Sequence, residues 1–219
     1  MRRRVGVLIS GRGSNLQALI DAAGDPHYPA EVATVISNRG DAPGLRRAAA
    51  AGISTHVVAD PDRSAFAAAA GRILRDAAVE LVALAGFMRI LDTGFVAAWR
   101  DRMVNIHPSL LPAFPGLHPQ RQALAAGVKF SGCTVHFVRA AVDTGPIIAQ
   151  AVVPVLDGDD EDRLADRILA AEHRLYPLAL RLLAEGRLTI DGNRVFAAGA
   201  AAADGVLVNP PEPLASRGG

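Results

Sequence analysis

The sequence predicts an α/β domain: a single-domain, mostly parallel twisted sheet with helices on both faces, Rossmann-like, with antiparallel strands in its C-terminal half. Two observations predict it. Short, almost wholly apolar runs alternate with Ala- and Leu-rich stretches of helical length through the first half of the chain. Strands that read as continuous apolar runs are those buried on both faces. After His107 the alternation breaks, and two apolar runs follow one another with only Arg139–Pro146 between them. That link is too short for a parallel crossover, so the pair is expected to be antiparallel.

The elements follow in order. Strands are expected at Val5–Ser10, Val32–Ser37, Thr55–Val58, Leu81–Ala85 and Met103–His107, with helices at Ser14–Ala23, Pro43–Ala51 and Ser64–Ala78. A loop rich in proline (Pro108, Pro112, Pro115, Pro119) leads to a short helix near Arg121–Ala126. The returning strands are Cys133–Val138 and Ile147–Val155. Asp159-Asp160-Glu161-Asp162 then opens a helix to about Leu183, acidic residues suiting the positive end of a helix dipole. The domain is expected over 1–196, and the Ala-, Gly- and Pro-rich residues 197–219 are expected to be a loosely held tail.

Composition excludes several classes. The 219 residues are 50% hydrophobic and 21% charged, ample for a buried core. Lys+Arg 23 against Asp+Glu 22 leaves net +1, without the basic surplus that nucleic-acid binding needs. The basic residues are 22 Arg and the single Lys129, a bias that fits codon composition better than a phosphate-binding surface. The longest uncharged apolar run, Leu81–Met88, falls far short of the ~18 residues of a membrane span. Met1-Arg2-Arg3-Arg4 has the charge of a signal-peptide start, but Val5–Ile9 is shorter than the ~7–15 residues of a secretory apolar region. One cysteine, Cys133, excludes an internal disulfide framework and points to a reducing cytoplasm. Monomer and homodimer are both left open.

Three motifs carry chemistry. Ser10-Gly11-Arg12-Gly13-Ser14-Asn15 joins the first strand to the first helix. Such a turn offers backbone N–H groups and a positive helix end to an anion, with Ser14 or Asn15 available as a cap. A dinucleotide fingerprint would need glycine at position 16, which is Leu16, so phosphate is favoured over nicotinamide. A tight turn without a ligand reads equally well, and a side chain at Gly13 is expected to obstruct an anion if one binds. Asn105-Ile106-His107-Pro108 places an amide and an imidazole on one face of a strand end, where open α/β sheets bind ligands. Val142-Asp143-Thr144-Gly145-Pro146 is either an Asp-initiated turn or the source of a carboxylate that orients a histidine. Cys133 and His136, three apart in a strand, face opposite ways, so no metal site is expected there.

Taken together these segments resemble the phosphoribosylglycinamide formyltransferases, folate-dependent enzymes of purine synthesis. The matching blocks are Val7–Gln17, Leu84–Leu91, Asn105–Pro112, Pro115–His118, and Gly132–Val138 leading to Asp143–Pro146. They occur in the family's order and cover residues from about 5 to 190. The resemblance implies transfer of a formyl group from the co-substrate 10-formyltetrahydrofolate to the glycinamide amine. It implies that Asn105, His107 and Asp143 are the catalytic trio. For the ribonucleotide it implies Gly11, Arg12, Gly13, Ser14 and Asn15 at the phosphate, Glu172 at the ribose hydroxyls, and Phe87 and Pro108 nearby. For folate it implies Arg63, the segment Met88, Arg89, Ile90 and Leu91, and the loop Arg139, Ala140, Ala141, Val142 and Asp143, with Asn105 shared. Ala140 departs from the family, which usually carries an acidic residue there; a loop holding the pterin through its backbone would feel this little.

The implied chemistry assigns each group a task. A neutral amine attacks the formyl carbon, and the developing oxyanion needs donors, which Asn105 and a protonated His107 would supply. Asp143 would hold the imidazole and favour its charged form. No metal is needed, because the donor carries an activated formyl group. A formyltetrahydrofolate hydrolase would share the trio, but is expected to carry an N-terminal regulatory domain ahead of the strand at Val5. A methionyl-tRNA formyltransferase is expected to need a further C-terminal RNA-binding domain. A non-catalytic nucleotide-binding module would explain the glycine turn and leave the trio without a purpose.

Overall fold

A computed structural model describes residues 1–199 together with Gly205, Leu207 and Asn209. The chain runs β1 (Arg3–Ile9), α1 (Ser14–Ala23), β2 (Ala30–Ser37), α2 (Pro43–Ala50), β3 (Ser54–Val57), α3 (Arg63–Asp76), β4 (Leu81–Leu84), α4 (Thr93–Ala98) and β5 (Met103–His107). It continues through α5 (Pro119–Ala125), β6 (Phe130–Phe137), β7 (Ile147–Pro154), α6 (Glu161–Ala184), β8 (Leu188–Asp191) and β9 (Arg194–Ala197). The expected elements are all present. Three were not expected: the one-and-a-half-turn helix α4 and the β8–β9 hairpin.

Seven strands form one sheet in the order β3-β2-β1-β4-β5-β6-β7. The strands β1 to β5 pair in parallel, and β6 and β7 join antiparallel. The apolar runs are consumed on both faces. Val5, Val7, Ile9, Val104, Ile106, Cys133 and Val135 pack with Leu16 and Leu19 of α1, Ala48 of α2, Ala123 of α5 and Leu164, Ile168 and Tyr176 of α6. Leu8, Ile36, Val82, Leu84 and Met103 pack on the other face with Phe66 and Leu74 of α3 and Phe95 of α4. Cys133 is thus a small hydrophobe in the core.

Helix boundaries follow local chemistry. Asp92 caps α4 by accepting from Gly94 N and Phe95 N, at 2.8 and 3.1 Å. Asp160 caps α6 through Arg163 N at 2.8 Å, with Glu161 and Asp162 in the first turn. α1 differs. Its first residue is Ser14, its N-cap is Gly13, and no side chain caps it, so neither Ser14 nor Asn15 plays the capping role the sequence suggested.

Strand order reverses between β1 and β4. In open α/β sheets that reversal opens a crevice beyond the carboxyl ends of the strands, where ligands bind. The turn after β1, the segment after β4 and the end of β5 all reach this rim. The expected tail at 197–219 lies, apart from residues 197–199, 205, 207 and 209, outside the described residues. Asn209 Nδ2 donates to Lys129 O and Val155 O, at 2.6 and 2.9 Å. Among the described residues no helix is long and apolar enough to cross a membrane.

Candidate active site

Alternation along β5 puts Val104 and Ile106 into one core and turns Asn105 and His107 to the other face, as a period of two requires. His107 is buried, and its Nδ1 lies 3.4 Å from Asp143 Oδ2. Asp143 reaches back from the β6–β7 connection with a left-handed backbone, φ 56°. Gly116 N donates to the same Oδ2 at 2.8 Å, and His107 Nε2 lies 3.0 Å from Phe114 O. Each ring nitrogen therefore lies near an oxygen, Nε2 at hydrogen-bond distance from Phe114 O and Nδ1 at ion-pair distance from the Asp143 carboxylate.

The proline-rich loop that supplies Phe114 and Gly116 is fixed from below. Thr134 Oγ1 donates to Ser109 O at 2.7 Å and accepts from Leu111 N at 3.0 Å, while Ser109 Oγ donates to Ala113 O at 2.6 Å. Thr134 stands opposite His107 in the β5–β6 register, so strand pairing positions loop and histidine together.

A second histidine enters the cluster. His136 is opposite Asn105 in the same register, and its Nε2 lies 3.7 Å from Asp143 Oδ1 and 3.2 Å from Asn105 Nδ2. Its Nδ1 donates to Phe137 O at 2.9 Å, so in the neutral ring Nε2 is the acceptor and Asn105 the donor. Sequence reasoning passed over His136, weighed only against Cys133. The signal that finds it is the antiparallel register, which sets His136 beside Asn105. Burial pushes the Asp143 carboxyl up, but the His136 ring, the Gly116 N–H and His107 outweigh burial and hold it below the usual carboxylate range.

The glycine turn is open where an anion would sit. The first N–H groups of α1 have no side-chain cap, and a Cβ on Gly11 would meet nothing within 4 Å. From behind, Gly44 N donates to Gly11 O at 3.1 Å and Arg47 Nε to Arg12 O at 3.0 Å. Gly13 is held differently from expectation. Its φ is 72°, and a Cβ there would stand 2.6 Å from Gly44 Cα, so bulk at Gly13 strikes α2 before it obstructs a ligand. Gly11→Ala is the cleaner probe. It should leave the thermal midpoint unchanged while weakening binding of a phosphorylated ligand several-fold, as read by calorimetry with glycinamide ribonucleotide. Unchanged affinity would remove the turn from the site.

Glu172, on α6, is brought to this turn: Asn15 Nδ2 donates to its Oε2 at 2.7 Å in a buried contact. Burial pushes the Glu172 carboxyl from 4.5 up to about 7, and the Asn15 amide offsets only part of that. Because the folded value lies above the unfolded one, the protonated form favours the fold. This contribution is full below pH ~4.3 and is lost as pH rises through about 7, up to about 3 kcal/mol. The stability of Glu172→Gln relative to wild type should therefore improve as pH rises from 5 to 8. A gap that stays constant across that range would mean Glu172 does not titrate there.

The remaining expected residues lie along the rim after β4. Phe87 packs at a tilt against Phe66, ring centroids 5.4 Å apart, Met88 and Ile90 are exposed, and Leu91 is buried. Arg89 donates to Pro61 O at 2.8 Å and lies over Phe66, tying this segment to the loop before Arg63, the exposed first residue of α3. Pro108 follows His107 directly. Ala140, Ala141 and Val142 are exposed, and Arg139 pairs with Asp101 at 2.5 Å. Met88 and Ile90, after β4, and Val142, between β6 and β7, are large apolar side chains left exposed.

The sequence pattern of the formyl transferase family matches residues 3–180. The chain belongs to this family. Phosphoribosylglycinamide formyltransferase of Escherichia coli is 47% identical over 193 residues, covering 87% of this chain and 91% of that protein. The trifunctional purine biosynthetic protein adenosine-3 of Drosophila pseudoobscura pseudoobscura is 57% identical over 192 residues, covering 85% of this chain, which spans only 14% of that longer protein. Among solved structures, glycinamide ribonucleotide transformylase 1 from Symbiobacterium toebii superposes with a TM-score of 0.87 at 56% identity, covering 90% of this chain and 94% of that one. A formyltetrahydrofolate deformylase from Pseudomonas syringae shares the fold, with a TM-score of 0.84, at 30% identity over 90% of this chain and 66% of its own. The architecture is thus shared by a transformylase and a deformylase.

Proposed function

We propose that this formyl transferase moves the formyl group of 10-formyltetrahydrofolate to the amine of 5-phosphoribosylglycinamide, giving N-formylglycinamide ribonucleotide and tetrahydrofolate for purine synthesis. The observation that carries the reading is the meeting of His107 with Asp143, with Asn105 joined to the same carboxylate through His136, on the sheet rim that also bears an uncapped helix N-terminus. The trio suits an oxyanion, and the helix end suits a phosphate. The greater similarity to the transformylase, 56% against 30% for the deformylase, supports an amine acceptor over water.

The neutral amine nitrogen forms a bond to the formyl carbon, and the carbonyl π pair moves onto oxygen. Asn105 Nδ2–H donates to that oxyanion, and a protonated His107 does so by turning its Nε2–H from Phe114 O to the reacting oxygen. The pair then re-forms the carbonyl as the bond from carbon to the folate N10 breaks. The proton shed by the amine reaches N10, with His107 as relay. Asp143 stays charged throughout and keeps His107 in place. Gly11–Asn15 receive the phosphate and Glu172 the ribose hydroxyls. Arg63, Met88–Leu91 and Arg139–Asp143 form the folate side, its exposed Met88, Ile90 and Val142 meeting the flat apolar part of the ligand. No step uses a metal. We place the reaction in the cytoplasm, where a lone thiol such as Cys133 stays reduced.

The test is release of tetrahydrofolate, followed spectrophotometrically with and without glycinamide ribonucleotide. Binding orients the amine and can supply an effective molarity of ~10⁵ M or more, an advantage water lacks. Rapid release should require the ribonucleotide, with the formyl group recovered on its amine. Fast release of free formate in its absence would make the enzyme a hydrolase.

A further inference from the structure

The loops that follow the neighbouring parallel strands β2, β1 and β4 meet at one hydroxyl. Ser10, the residue after β1, is buried and immediately precedes the turn Gly11–Asn15. Its N–H donates to Gly86 O at 3.2 Å, and its Oγ accepts from Met88 N at 2.8 Å. These two bonds bracket Gly86–Phe87–Met88, where Gly86 takes a left-handed φ of 71° and the chain turns out of β4. The single hydroxyl proton is committed elsewhere: Ser10 Oγ donates to Asn38 Oδ1 at 2.6 Å. Asn38 is steadied in turn, since Ser37 Oγ donates to Arg39 O at 2.8 Å and accepts from Arg39 N at 3.0 Å on either side of it. With its proton directed to Asn38, the hydroxyl presents a lone pair to Met88 N–H.

We infer that Ser10, with Asn38 behind it, is a positioning residue that fixes the segment Met88–Leu91 against the turn Gly11–Asn15. The inference rests on the assignment of these two segments to the folate and phosphate ligands. Group transfer between two bound ligands depends on their separation, and a misplacement of about 1 Å can cost ~10²-fold. A side chain that ties the two ligand-bearing segments together sets that separation without touching either ligand. Loss of the hydroxyl leaves Met88 N–H unpaired and lets the segment after β4 shift, while the glycine turn keeps its own anchors at Gly44 and Arg47.

The test is Ser10→Ala, with affinities measured separately for tetrahydrofolate and glycinamide ribonucleotide beside steady-state kinetics. Ser10→Ala should lower kcat about tenfold or more and weaken tetrahydrofolate several-fold, with ribonucleotide affinity within twofold of wild type. Asn38→Ala should shift the same quantities in the same direction by less. The double variant should be no worse than Ser10→Ala alone, because both act through one hydrogen-bond chain. Unchanged kcat and folate affinity in folded Ser10→Ala overturn the inference. So does an equal loss for both ligands that tracks a fall in thermal midpoint, the mark of a merely structural role. Should Ser10→Ala fail to fold, Asn38→Ala decides by the same split. Selective loss of tetrahydrofolate affinity in these variants, together with no formyl transfer by the wild-type protein, supports the inference and refutes the proposed reaction.

Discussion

Asp143→Asn is expected to lower kcat about 10²–10⁴-fold with little change in either KM, because it removes a charge rather than a contact. Asparagine has the same shape and can still accept from Gly116 N, so the loop over the site keeps its anchor. It cannot supply the negative charge that lies 3.4 Å from His107 Nδ1 and 3.7 Å from His136 Nε2. Without that charge, a His107 that is protonated in the transition state would lose the carboxylate beside its Nδ1, and the oxyanion would lose the help of a charged donor. The sign of the pH effect follows from the depressed Asp143 carboxyl. Its stabilising contribution is present above the ordinary carboxylate range and is lost as pH falls through the lowered folded value. Asp143 is therefore ionised throughout the neutral range, so no part of the variant's deficit between pH 6 and 8 comes from titration of residue 143 itself. A folded Asp143→Asn enzyme within threefold of wild-type kcat would remove Asp143 from the mechanism.

Much of this site was legible because sheet periodicity is strict. The pairing of Asn105 with His107 followed from a period of two, and the end of β5 from Pro108. Apolar runs such as Leu81–Leu84, buried at every position, could hardly be anything but central parallel strands. What escaped depended on partners distant in sequence. His136 becomes part of the cluster only through the register that sets it opposite Asn105, and no local pattern carries that register. α4 is six residues long and is announced by a single capping aspartate, Asp92, too brief for a helical period to emerge. The β8–β9 hairpin did have a local signal: Asp191-Gly192-Asn193 between alternating apolar residues, with Gly192 at φ 56°. Gly13 was recognised as a turn glycine, but its second constraint, the backbone of Gly44 behind it, belongs to another loop altogether.

Asn105→Ala is expected to cost about 10²–10³ in kcat, the usual consequence of removing one donor to a developing oxyanion. The surrounding bonds sharpen this into a comparison of two variants. In the neutral tautomer of His136 whose Nδ1–H donates to Phe137 O, Nε2 presents a lone pair to Asn105, and the amide turns its Nδ2 that way. One N–H of Asn105 is thereby spent on His136, and the other remains for the reacting oxygen. Asn105→Asp keeps the size of the side chain but replaces the donor with a carboxylate facing that lone pair, close to Asp143. It should therefore be at least as damaging as Asn105→Ala, although it is the smaller change in shape. Single-turnover rates with both substrates saturating separate this chemistry from binding. If Asn105→Asp kept most of its activity while Asn105→Ala lost it, the residue would be acting through packing, and the oxyanion would have to be held by His107 alone.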